Sequence, residues 1–320
     1  MIENQYLSFY IFYGEPWEPL LVKAIHPLMK KLLKDGLISQ YFFIRYWERG
    51  PHIRLRLKKV NEIDEVELSA TVLKELNSYV VKNPSKLLMT PGMEARQAAE
   101  SWNANNQIVK IKYKPETSRY GGVEGLLLAE LQFFASSRVV INEVLEASDW
   151  SYDQALGAAI KWHVGFVFSL GITTDKIADF FEQNCRDWLP RAVGDKNSKE
   201  QQEKILSQFT NAYTAQKTTV LPYIQGIWEQ LQENPTGSSD PVWENWLTIN
   251  SAVYTNLQLL ENTGLLTPAD TRSGEIYPTA SKLWNILSDF VHLTNNRLGV
   301  MNRDEGFLAF MLAQAFRNGQ

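Results

Sequence analysis

Residues 52–57, His-Ile-Arg-Leu-Arg-Leu, alternate polar and apolar side chains directly after a Gly-Pro pair. A period of two behind a turn signal marks a β-strand. Successive strand side chains leave opposite faces, so Ile53, Leu55 and Leu57 point into a core. His52, Arg54 and Arg56 form a row on the other face. Two guanidinium groups two residues apart on a rigid element suit a carboxylate or phosphate, because each presents a planar fork of donors. The plain alternative is a charged sheet face that discourages aggregation.

The neighbouring stretches supply strand partners. Residues 40–47, Gln-Tyr-Phe-Phe-Ile-Arg-Tyr-Trp, read as a strand joined to the first by a short turn at 48–51, which predicts a hairpin with Arg45 sharing the polar face. Residues 5–13 are aromatic and β-branched, a third strand that ends at Gly14 and Pro16. Residues 107–114 alternate as a fourth, with Val109, Ile111 and Tyr113 on one side and Lys110, Lys112 and Lys114 on a solvated other side. Helical spacing predicts a helix from Trp17 to about Gly36, kinked at Pro27 and carrying a structural, partly buried His26, and another over 62–82. The stretch 83–106 reads as a long connection. Pro115-Glu116-Thr117-Ser118-Arg119-Tyr120-Gly121-Gly122 is turn chemistry ahead of a helix that begins near Val123, and its glycines let backbone approach a ligand.

Beyond about residue 150 alternation stops. Helical patterns follow at 151–170, 174–185, 199–231, 241–263, 278–297 and 303–316, with loops at 187–198 and 234–241. Trp162, Trp228, Trp246, Trp284 and His163 read as core. His292 and Asn296 lie four apart on one helix face beside Arg297, and Gly299 closes that helix. A lone histidine there is ordinarily structural.

The class is α+β: a mixed or antiparallel sheet with flanking helices in the N-terminal half and a mostly helical C-terminal half. The expected organisation is a single domain over 1–320, with a sheet-containing part at 1–150 and a helical part at 151–320. A net charge of -4 argues against a general nucleic-acid binder. The single cysteine excludes an internal disulfide and a thiolate zinc site, and the histidines lack metal-ligand spacing. No apolar run reaches membrane-spanning length and no signal peptide is evident, so a cytoplasmic protein without metal or cofactor is expected.

Four stretches together carry a resemblance. Phe42-Phe43-Ile44-Arg45-Tyr46, Pro51-His52-Ile53-Arg54-Leu55-Arg56-Leu57, Glu116-Thr117-Ser118-Arg119-Tyr120-Gly121-Gly122 and His292-Leu293-Thr294-Asn295-Asn296-Arg297-Leu298-Gly299 resemble the C-terminal, glutamate-elimination domain of lantibiotic dehydratases, also known as the thiopeptide-type bacteriocin biosynthesis domain. The resemblance spans most of the chain in the expected order and lacks the large glutamylation domain, as in a stand-alone subunit. It implies β-elimination of glutamate from glutamylated Ser or Thr in a precursor peptide, leaving dehydroalanine or dehydrobutyrine. It implies catalytic roles for Arg54, Arg56, Glu116, Arg119 and His292: the strand arginines hold the glutamyl group, Glu116 orients Arg119, and Arg119 and His292 handle protons. Implied partners are the precursor peptide and a separate glutamyl-tRNA-dependent glutamylation subunit; a cyclase and a second copy of the chain are further candidates. Two other functions fit the same scaffold: a pyridine-forming cycloaddition enzyme, and a non-catalytic partner that docks peptide or steadies a glutamylation subunit.

Overall fold

The computed structural model describes residues 5–89, 93, 94, 97, 100–147, 149–193, 198–266 and 282–318. Within them β1 (Tyr6–Phe12), β2 (Ile38–Tyr46), β3 (His52–Lys59) and β4 (Gln107–Lys110) form one sheet in the order β2-β3-β1-β4, every neighbouring pair antiparallel. The fold class is therefore α+β, as expected. The β2–β3 hairpin turns through Arg49 and Gly50, both at positive φ, and closes with Gly50 N–H donating to the Trp47 carbonyl at 3.2 Å.

The register divides the sheet faces. Phe9, Ile11, Phe43, Ile53, Leu55 and Leu57 are buried on one side. Arg45 stands directly opposite Ile53 and so lies on this apolar side, not with Arg54 and Arg56 as the sequence suggested. A one-residue offset in pairing moves a side chain to the other face. Arg45 is tolerated there because its Nη1 donates to Glu18 Oε1 at 2.9 Å and its guanidinium lies 5.7 Å from the Trp17 ring. The fourth strand is shorter than expected. Pairing ends at Lys110, Ile111 is exposed, and Tyr113 turns inward against Tyr6 and Phe42.

The helix around Pro27 is built from three pieces: α1 (Glu18–Leu20), a wider π turn over Leu21–Ile25, and α2 (His26–Lys34). Proline has no N–H and its ring crowds the carbonyl four residues back; widening the turn just ahead of it relieves that clash. Gly36 ends α2 at φ 68, with the Leu37 N–H reaching the Leu32 carbonyl at 2.9 Å. Helix α3 (Glu65–Lys82) is capped by Asp64, whose side chain accepts from the Glu67 N–H, and adds Leu68, Val72 and Leu76 to the core.

The chain divides into two compact units, residues 1–117 with 136–150 and residues 118–135 with 151–320. Helix α4 (Val123–Glu146) runs from the second unit into the first. The second unit holds α5 (Tyr152–Ser169), α6 (Thr174–Val193), α7 (Lys199–Glu233), α8 (Pro241–Asn262), α9 (Lys282–Leu298) and α10 (Asn302–Asn318). Ser151 and Gln154 form a reciprocal capping box at the start of α5. Trp162 and Trp246 pack edge to face in the core. Helix α6 continues past Cys185 through Pro190, where a loop from 187 was expected, because Trp188 and Leu189 are buried and hold the extra turns. The helix start expected near Ser281 lies outside the described residues. Among the described residues no helix is long and apolar enough to cross a membrane.

Candidate active site

In the first unit, the row His52, Arg54 and Arg56 lies on an aromatic shelf rather than a solvated charged face. The His52 ring is buried between Tyr10 and Phe12, with centroids at 5.0 and 4.6 Å. Burial pushes the His52 pKa down to about 4, so the ring is neutral at neutral pH. Its Nδ1–H donates to the Gly50 carbonyl at 2.8 Å, which leaves Nε2 to accept from Arg54 Nε–H at 3.1 Å. The Arg54 guanidinium lies 3.4 Å from the Tyr46 ring centroid and 4.7 Å from that of Tyr10; among the described residues Glu48 at the exposed rim meets it as an anion, at 3.4 Å.

Arg56 is the more unusual group. Its guanidinium sits 4.9 Å from the Tyr113 centroid and 5.4 Å from Phe42, and the residue is 8 % exposed. Among the described residues it has no ion-pair partner, and its buried Nε has no hydrogen-bond acceptor. Removing a cation from water without a counter-ion is costly, and two ring faces recover only part of that cost. The arrangement suits an anion brought by a ligand.

In the second unit, the turn ahead of α4 is shaped by glycine. Gly121 and Gly122 adopt φ 81 and 107, and a methyl group on Gly121 would strike the Leu266 side chain. Tyr120 is buried against Phe133 and Phe290. Arg119 makes a two-point ion pair with Asp289, Nε to Oδ2 and Nη2 to Oδ1, both 2.7 Å. Glu116 is exposed and belongs to the first unit.

Three residues after Asp289 on α9 comes His292. Its Nδ1 lies 3.0 Å from Glu305 Oε2 and 3.1 Å from Oε1, and its ring packs on Trp188 with centroids 4.8 Å apart. Glu305 is buried and also accepts from Asn295 Nδ2 at 3.3 Å. Asn295 Oδ1 in turn accepts from Nε2 of the buried His163 at 2.7 Å. Arg297, beside this cluster in sequence, is fully buried over the Phe133 ring.

Of the five residues expected from the sequence, Arg54 and Arg56 thus share one strand face in the first unit. Arg119 and His292 are held in the second by acids on α9 and α10. Asp289 and Glu305 were not singled out from the sequence. Asp289 carries no local signal, and Glu305 reads as an ordinary acid in the first turn of a helix.

Several solved structures share the fold, three of them as follows. The pyridine synthase TbtD from thiomuracin biosynthesis superposes with a TM-score of 0.74 at 14% identity, covering 98% of this chain and 97% of that one. TsrL gives 0.67 at 16% identity, covering 98% and 94%. The tRNA-dependent lantibiotic dehydratase MibB from Microbispora sp. 107891 gives 0.50 at 16% identity, covering 99% of this chain and 28% of that larger one. No curated protein sequence matches. The family described as lantibiotic biosynthesis dehydratase C-term matches residues 7–316, and the chain belongs to that family.

Proposed function

We propose that the protein eliminates glutamate from glutamylated Ser or Thr residues of a ribosomally made precursor peptide. The observation that carries this is Arg56: a cation in an aromatic slot whose buried Nε has no acceptor among the described residues suits a substrate bearing its own carboxylate. A glutamyl ester brings such a free carboxylate; a simple Ser or Thr side chain does not. Arg54, turned by His52 across the same face, gives a second guanidinium for the same group.

The chemistry balances with protein side chains alone. A base removes the Cα proton of the esterified residue. The electron pair forms the Cα–Cβ double bond as the Cβ–O bond breaks, and glutamate departs as a carboxylate. A peptide Cα–H is a weak acid, so the step needs a positioned base and positive charge near the developing enolate oxygen. His292 is the proton-exchanging group and Arg119 the fixed positive charge, with Asp289 holding its guanidinium plane. Glu116 completes the proposed set as its exposed carboxylate. A glutamyl-tRNA-dependent glutamylation subunit makes the substrate, and the reaction takes place in the cytoplasm.

The second reading is pyridine formation by cycloaddition of two dehydroalanines, favoured by the TM-score of 0.74 to TbtD over 97% of its length. Two substrates separate the readings. Incubation with a glutamylated peptide should release glutamate and leave a dehydrated product, read by mass. Cyclisation of an already dehydrated peptide, with the glutamyl ester left intact, would replace elimination by the second reading.

A further inference from the structure

We infer that Glu305 is a positioning residue for His292, fixing its ring so that Nε2 and not Nδ1 exchanges the proton. The inference rests on the elimination reading only for what the proton transfer does. A carboxylate can only accept, so two contacts to Nδ1 at 3.0 and 3.1 Å require the N–H on that nitrogen. The lone pair of the neutral ring then sits on Nε2, which has no hydrogen-bond partner among the described residues, in a side chain 22% exposed.

With Glu305 ionised, the rest of the cluster follows from it. Glu305 is 2% exposed at its side chain, and Asn295 must turn its amide N–H₂ toward it. That turns Asn295 Oδ1 to His163, which must carry its proton on Nε2. His163 is kept neutral by burial, with its pKa pushed down to about 4. Tyr152 pins the start of α10 from outside: its hydroxyl donates to Asp304 Oδ2 at 2.6 Å and accepts from the Met301 N–H at 3.1 Å. The ring of His292 is therefore held on one side by Trp188 and at Nδ1 by an acid that is itself immobilised. Outer partners of this kind set the tautomer and orientation of a working histidine.

The test is 15N NMR of the histidine side chains in the full chain, with His292 assigned through His292→Asn. Wild-type protein should show His292 protonated at Nδ1 when neutral. Glu305→Gln, nearly identical in shape, should shift it toward Nε2–H and lower kcat about 10- to 100-fold with little change in KM. Glu305→Asp should recover part of both. Nε2–H in the wild-type protein would overturn the inference, whether or not any variant folds. An unchanged tautomer and kcat in folded Glu305→Gln would do so as well. The spectrum does not depend on substrate: Nδ1–H without elimination activity would sink the elimination reading and leave the positioning role standing.

Discussion

Replacing Arg56 with methionine separates what this residue does for the ligand from what it does for the fold. The guanidinium touches two rings, at 4.9 and 5.4 Å, and is almost wholly buried. Losing it removes two cation–π contacts of about 0.5–2 kcal/mol each. It also removes the desolvation of an unpaired cation, a penalty of several kcal/mol. Methionine keeps a long apolar stem and gains sulfur–aromatic contacts of about 0.3–1.5 kcal/mol. The opposing effects nearly cancel, so stability should stay within about 2 kcal/mol of wild type and can rise. Function should not survive. Two charge-assisted hydrogen bonds to a substrate carboxylate, at about 1.5–3 kcal/mol each, correspond to a fall in kcat/KM of roughly 10²- to 10⁴-fold. Urea denaturation gives the first quantity and mass spectrometry of a glutamylated peptide the second. A folding loss beyond about 3 kcal/mol with elimination intact would make Arg56 a structural cation and refute the reasoning.

Other expectations follow from the second unit and from the buried histidines. Gly121→Ala meets both a positive φ of 81 and the Leu266 side chain, so a loss of about 1–3 kcal/mol in urea denaturation is expected. Arg119→Ala removes the two-point partner of Asp289, largely buried at 16% side-chain exposure; it should cost about 1–3 kcal/mol and abolish elimination, and an active variant would exclude Arg119 from the chemistry. His52 and His163 both have folded-state pKa values pushed down from 6.5 to about 4 by burial. The unfolded chain therefore binds protons first as pH falls. Stability should be level above about pH 6.5 and decline between there and about pH 4, by a few kcal/mol in total. His163→Gln should flatten part of that decline in pH-dependent denaturation.

Much of the fold was legible because it rests on local periodicity. The alternation of Ile53, Leu55 and Leu57 against Arg54 and Arg56 is reproduced by the β3 register, and the helices from Tyr152 onward follow the spacing of their apolar residues. The errors have tertiary causes. Arg45 changed sides because cross-strand register depends on the turn at Arg49 and Gly50, and Glu18 was there to receive it. Helix α6 outran its expected end because buried Trp188 and Leu189 outweigh the cost of Pro190. Within the candidate site, the charged row could be read from the strand. Its aromatic lining could not, because Tyr10, Tyr46 and Tyr113 come from three other segments. Glu305 was hidden for the same reason: thirteen residues separate it from His292, and only the turn after Gly299 brings them together.

The most direct measurement uses a glutamylated peptide carrying deuterium at Cα of the esterified serine. Incubated with the wild-type protein, it should release free glutamate and give dehydroalanine with the deuterium lost. Serine regenerated with its deuterium retained, or an ester that persists unchanged, would contradict elimination.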